Sequence, residues 1–156
     1  MRQATEQDLD FLAQCYVNIA LHMKAGSQDL YISRLPSSPD DATLAQVARY
    51  VGRDGAIALI EELNGRAVGC LLGTIAHSSF SAARLDNVGH ISACWVEPEF
   101  RQSGIATRLV RAAEDWFQEK RVLLVELSYM ATNELAAVSW QRLGYQPFRI
   151  FAYKQL

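Results

Sequence analysis

Positive charge is nowhere in excess in this chain of 156 residues: 15 lysines and arginines stand against 17 aspartates and glutamates, for a net charge of −2 at pH 7. The basic stripe on which a nucleic-acid partner rests is therefore missing, and that class of function is not expected. Cysteine is scarce too. Cys15, Cys70 and Cys94 are odd in number, lie in apolar surroundings, and have neither CxxC pairing nor the histidine spacing of a zinc site, so no metal is expected. They read as reduced core residues of a cytoplasmic protein. No apolar run reaches the roughly 18 residues of a membrane span. The opening "MRQATEQDLD" is charged from its second residue and lacks the apolar stretch of a signal peptide, which argues against export. Repeats, linkers and low-complexity tracts are absent.

What is present is a large apolar fraction, half of the residues, enough for one compact domain over 1–156. The stretch "ATEQDLDFLAQCYVNIALHM" opens with Thr5 and Asp8 at capping-box spacing and sets Leu9, Leu12, Tyr16, Ile19 and Met23 on one helical face. Residues 24–40 lose that period and gather Gly, Ser and Pro, as a loop or short irregular helix does. Leu44, Val47, Ala48 and Val51 mark a second helix, ended by Gly52 and Gly55. Two apolar runs joined by Asn64-Gly65 predict an antiparallel hairpin with a type I′ turn. A third strand lies in "GHISACWVEP" and stops at Pro98. The next helix carries its stripe at Ile105, Leu109, Ala112, Ala113, Trp116 and Phe117, and "VLLVELSYM" follows as a buried strand parallel to the third. A last helix over 133–143 ends at Gly144, and "QPFRIFAYKQL" is expected to close the chain as a strand.

The turn before the long helix, "EFRQSGIATRLV", asks for an explanation. A helix N-terminus leaves its first N–H groups unpaired and carries partial positive charge, so it suits a phosphate. Gly104 permits close approach, Ala106 is small, and Arg101 offers a charge-assisted bond. Backbone geometry alone also accounts for a glycine in such a turn.

Read with its flanks, "VEPEFRQSGIATRLV" resembles the acetyl-CoA signature of the GNAT superfamily of N-acetyltransferases. The stretch "NELAAVSWQRLGY" resembles that family's second block through Asn133, Ala136, Gly144 and Tyr145. The resemblance implies an α/β (α+β) fold: a mixed, mostly antiparallel sheet with a splayed parallel strand pair, flanked by about four helices. It implies acetyl-CoA as cosubstrate, held by the backbone of Cys94, Trp95 and Val96, by the turn Arg101, Gln102, Ser103, Gly104, Ile105, Ala106 and Thr107, and by Asn133 and Trp140. The reaction it implies is acetyl transfer to an amine, direct within a ternary complex. A non-catalytic acyl-CoA sensor is the alternative on the same fold.

A protonated amine needs a base. His90 stands at the slot where several family members place a glutamate, and imidazole titrates near neutrality; a merely hydrogen-bonded histidine at a strand start is the other reading. Glu126, alone in an apolar strand, is the alternative base or a salt-bridge partner. One departure is clear: the family tyrosine that protonates the leaving thiolate is Trp140 here, and an indole N–H is no practical acid. Tyr129 and Tyr145 are the nearby tyrosines, Tyr145 matching the packing aromatic of the family, while His22 and His77 carry no motif and read as structural or surface residues. Loops 24–40 and 77–88, with Asp29, Tyr31, Arg34, Arg84 and Asp86, are expected to border the acceptor. The acceptor itself stays open among small amines, antibiotics, amino acids and protein N-termini. The edge of a terminal strand "FRIFAY" suggests a homodimer.

Overall fold

A computed structural model describes residues 1–26, 29–80, 82 and 85–154. Its five-stranded sheet runs in the order β1-β2-β3-β4-β5, with β1 at Arg2–Gln3, β2 at Ala56–Leu63, β3 at Arg66–Ala76, β4 at Val88–Val96 and β5 at Val125–Leu127. All neighbours pair antiparallel except β4 and β5, which are parallel. Five helices flank it: α1 at Leu9–Gly26, α2 at Leu30–Ser33, α3 at Asp41–Ala48, α4 at Ile105–Glu119 and α5 at Glu134–Arg142. The β2–β3 hairpin turns at Asn64 (φ 52°) and Gly65 (φ 77°), the two positive φ values that the Asn-Gly pair predicts.

Alternation along the strands divides the core between two faces. On one, Ile57, Leu59, Val68, Leu71, Ile91 and Val96 pack against Ile105, Leu109, Ala113 and Phe117 of α4. On the other, Ala58, Ile60, Cys70, Leu72 and Ala93 meet Leu12, Ala13 and Cys15 of α1 and Val47 of α3. Gly69 allows the start of α4 to descend onto the sheet: a Cβ there would lie 3.0 Å from the Trp95 carbonyl oxygen and 3.2 Å from Ile105.

Two expectations fail. The strand foreseen over 122–130 is formed only at Val125–Leu127, because β5 pairs just three residues of β4 and both Leu123 and Leu124 point to solvent. The closing strand at 146–156 does not form over 146–154, and 155–156 lie outside the described residues. Phe148, Ile150 and Phe151 are exposed there, with the ring of Phe148 against Phe80 and that of Tyr153 against Tyr31. The segment "FRIFAY" has the composition of a strand, but among the described residues it pairs with none of the sheet's strands, and composition alone makes no ladder.

Candidate active site

The parallel pair is where the sheet opens. Gly89, His90 and Ile91 of β4 match Val125, Glu126 and Leu127 of β5, and the Gly89 N–H donates to the Leu124 carbonyl at 2.9 Å. Beyond Ile91 no residue of β5 faces β4, so Ser92–Val96 border a wedge on that edge. Ser92 is itself out of register with β3, where the pairing steps from Leu72↔Ala93 to Gly73↔Ile91.

Which backbone groups look into the wedge follows from the ladder. Just past β4, the Glu97 N–H donates to the Val68 carbonyl at 2.9 Å, toward β3. Because successive residues turn to opposite edges, Trp95 also faces β3, while Cys94 and Val96 turn their N–H and C=O groups into the wedge. The side chain of Arg101 agrees, donating Nε–H to the Val96 carbonyl at 3.0 Å from that side. Of the three backbone positions expected to hold a ligand, Cys94 and Val96 therefore face the wedge, whereas the backbone of Trp95 faces β3. The Arg101 guanidinium lies over the Trp95 ring, 4.6 Å from its centroid.

At the end of β4 the chain passes through a 3-10 turn at Pro98–Phe100 and enters α4. Gln102 (φ 59°) and Gly104 (φ 79°) both take the left-handed conformation, which bends the turn before α4 starts. The first helical bond runs from the Arg108 N–H to the Gly104 carbonyl at 3.0 Å. The N–H groups of Ile105, Ala106 and Thr107 therefore have no partner within the helix. Arg101, Gln102, Ser103, Gly104 and Ala106 are exposed around this end.

A second cation at the turn, besides Arg101, is one the sequence reading missed. Arg108 directs Nη1 at the Ser103 carbonyl (3.4 Å) and binds the buried Glu61 through Nε (3.1 Å) and Nη2 (2.6 Å). Glu61 ends the buried run "AIALI" of β2, and a carboxylate that follows such a run needs a cation; that was the signal available.

On the α1 face, His90 and Glu126 come together as register partners, with Nδ1 of His90 3.9 Å from Oε2 of Glu126. His90 Nε2 lies 2.9 Å from the His77 carbonyl oxygen. Burial favours protonation of Glu126, but hydrogen bonds from Ser78 and Ser79 and the neighbouring His90 outweigh it and hold the carboxyl below its ordinary range. Ser78 and Ser79 were not foreseen, since two serines in a polar loop carry no spacing signal. Asp86, also on that loop, sits 3.4 Å from the exposed His77 ring; Arg84 lies outside the described residues.

Asn133 caps α5, accepting from the Ala136 N–H at 3.0 Å. Trp140 packs edge-on against Tyr145, ring centroids 5.3 Å apart, and Tyr145 donates its hydroxyl to Glu114 at 2.9 Å. Burial first, then Glu114, holds the Tyr145 phenol well above its ordinary range, so it is a poor proton donor at neutral pH. Burial, aided by Cys15, pushes the Cys94 thiol up to about 12, which keeps it protonated and unreactive. Among the described residues no group of three or more His, Cys, Asp or Glu could hold a metal, and no helix is long and apolar enough to cross a membrane. A cleft of about 300 Å³ lined by Tyr50, Arg53, Trp116 and Lys120 lies at the other end of α4 and takes no part in this arrangement.

A model of the acetyltransferase (GNAT) family matches residues 25–145. The chain is 26% identical to the aminoglycoside N(6')-acetyltransferase type 1 of Salmonella typhimurium over 121 residues, 77% of this chain and 83% of that one. It is 28% identical to N-alpha-acetyltransferase 20 of Dictyostelium discoideum over 94 residues, 60% of this chain and 51% of that one. Among solved structures, aminoglycoside acetyltransferase AAC(6')-Iy in complex with the bisubstrate analog CoA-S-monomethyl-acetylneamine has a TM-score of 0.75 at 23% identity, covering 99% of this chain and 96% of that one. That likeness establishes the fold.

Proposed function

The chain belongs to the acetyltransferase (GNAT) family, and from that premise we propose that it is an acetyl-CoA-dependent N-acetyltransferase acting on an amine by direct transfer. The carrying observation is the wedge: β4 parts from β5 after Ile91, turning backbone of Cys94 and Val96 to it, and the chain passes from β4 through the turn at 97–104 to the free N-terminus of α4. These donor groups fit the cosubstrate. An extended amide-bearing arm suits exposed strand backbone, and a pyrophosphate suits unpaired helical N–H groups beside Gly104, where an added Cβ would find only Arg108 within 4 Å.

When bound, acetyl-CoA supplies an acetyl group activated as a thioester. The residues of this chain do the rest. The Cys94 and Val96 backbone aligns the arm, and the Cys94 N–H is a fixed donor for charge that grows on a carbonyl oxygen in the wedge. Gln102, Ser103, Ile105, Ala106 and Thr107 border the anion, with Arg108 as the adjacent cation. Arg101 closes the end of the wedge rather than reaching over the turn. Asn133 and Trp140 support the β5 side. His90 takes a proton from the acceptor's ammonium, with Glu126 as its carboxylate partner. With the Cys94 thiol protonated, the chain offers no nucleophile there for a covalent acetyl-enzyme, which favours direct attack by the amine. Trp140 and Tyr145 supply no proton to the leaving thiolate, so that proton comes from water or from the amine.

The acceptor we propose is a small cationic amine of the amino-sugar class, supported by the curated aminoglycoside-modifying relative that spans most of this chain. Residues 1–156 are read as a single domain. Three free cysteines suit a reducing compartment, and the cytoplasm is the proposed location. A homodimer that covers Phe148, Ile150 and Phe151 is the proposed assembly. Calorimetry with acetyl-CoA, followed by release of free CoA thiol with neamine and with N-terminal peptides as acceptors, tests the reading. Binding and neamine-dependent thiol release are expected, and His90→Ala should slow release at least roughly a hundredfold with acetyl-CoA affinity intact. Absence of acetyl-CoA binding overturns the function; release with peptides alone moves the acceptor to protein N-termini.

A further inference from the structure

The loop that follows β3 does more than connect strands. Ser78 is buried, and its hydroxyl donates to Glu126 Oε1 at 2.5 Å while accepting the Phe80 N–H at 3.1 Å. Ser79 meets the other oxygen twice, its N–H donating to Oε2 at 3.0 Å and its hydroxyl donating to the same atom. The Ser78 N–H is tied in turn to the Leu85 carbonyl at 3.0 Å, so the loop is braced from its far side. Three donors thus converge on one carboxylate, at a residue whose Oε2 stands 3.9 Å from His90 Nδ1.

The residue before these serines sets the tautomer. A carbonyl oxygen only accepts, so the 2.9 Å contact between His77 O and His90 Nε2 requires the proton on Nε2. A neutral His90 then carries its lone pair on Nδ1, on the side of Glu126. We infer that Ser78 and Ser79 are positioning residues, which fix Glu126 as an oriented carboxylate and, through the same loop's His77 carbonyl, hold His90 with Nδ1 as the proton-accepting atom. In the proton transfer an N–H bond of the acceptor's ammonium breaks and an Nδ1–H bond forms. The imidazolium is neutralised by Glu126, and the proton later passes to solvent. Among the described residues, the charged groups beside this cluster include the exposed His77–Asp86 pair and Arg149, whose Nη1 lies 3.4 Å from the Ser79 carbonyl. This assignment rests on the acetyltransferase reading only for the use made of the proton.

The resting protein tests it without any acceptor. In uniformly labelled wild type, ¹⁵N spectra should show His90 as one Nε2–H tautomer, and the Glu126 side-chain ¹³C signal should titrate below the ordinary carboxylate range. In Ser78→Ala/Ser79→Ala the Glu126 midpoint should rise by about one unit, a tenfold change in proton affinity, and His90 should populate both tautomers. Ser79→Ala, at an exposed site, should show a smaller shift in the same direction and reads the effect even if the double variant fails to fold; Ser79→Thr should restore wild-type behaviour. An Nδ1–H tautomer in the wild type, or an unchanged Glu126 titration in Ser79→Ala, overturns the assignment while leaving acetyl transfer untouched. Loss of acetyl transfer in an otherwise normal titration would do the reverse.

Discussion

A single backbone angle decides what Gly104 is for. Its φ of 79° lies in the left-handed region, and an added Cβ would meet nothing closer than Arg108 at 3.6 Å, so the site excludes side chains by conformation and not by crowding. Gly104→Val should therefore lose about 1–2 kcal/mol in urea unfolding. It should also weaken acetyl-CoA at least about tenfold by calorimetry, because the branched side chain stands where a phosphate must approach. Asp8 makes a different kind of residue-level statement. Its carboxylate accepts from Arg2 at 2.7 and 2.8 Å and from the Thr5 N–H at 2.7 Å, and Arg2 foremost holds its carboxyl far below the usual range. A depressed folded-state value gives stability that is present above the unfolded carboxylate range and is lost as pH falls toward the folded value. Asp8→Asn should accordingly be less stable than wild type at pH 7, and the gap should shrink as unfolding is repeated from pH 5 down to pH 3. A gap that is constant with pH would mean that the ion pair is not its source.

At the scale of elements, β4 and α4 approach closely at Gly89. A Cβ on Gly89 would lie 2.8 to 3.0 Å from three ring atoms of Phe117, a side chain with essentially no exposure. Gly89→Ala should then cost about 1–3 kcal/mol through overpacking. Since Gly89 also ties β4 to β5, acetyl transfer should fall with it; an unchanged melting temperature would mean that Phe117 yields freely. The sequence pattern made most such elements legible. The Asn64-Gly65 hairpin, the α4 stripe and the Thr5/Asp8 spacing are local signals, each set by a few neighbouring residues, and each has its expected counterpart in the fold. Two kinds of feature were not legible. The length of β5 depends on how far β4 offers it a partner, which no property of "VLLVELSYM" encodes. The convergence of Ser78, Ser79 and Glu126 joins residues 47 or 48 positions apart, and polar loop residues without a period give no hint of such a meeting. Arg108 lay between these cases, on the exposed side of a well-predicted helix, with its partner Glu61 distant in sequence.

For the whole molecule, the distribution of apolar surface is uneven. Both faces of the sheet are covered by helices, yet the terminal segment exposes Phe148, Ile150 and Phe151 at 83%, 89% and 78%, and Leu123 beside the edge strand β5 at 98%. Scattered exposed apolar residues are ordinary, but three large apolar side chains within four residues, in a chain whose sheet also has an open edge at β5, are the kind of surface that association covers. A symmetric pair is the simplest closed arrangement, because the same segment and edge then serve both copies. Light scattering at micromolar concentration should accordingly give twice the chain mass of 17.4 kDa. Replacing Phe148, Ile150 and Phe151 together by serine should return it to the monomer, with the two sheet cores intact because none of the three side chains belongs to either. The segment also touches Phe80, on the loop after β3, and Tyr31 of α2, both in regions proposed to border the acceptor, so the triple variant should raise KM for the acceptor more than it changes acetyl-CoA affinity. A wild-type protein that is monomeric at this concentration removes the dimer, and a monomeric variant with wild-type KM removes the link between assembly and the acceptor site.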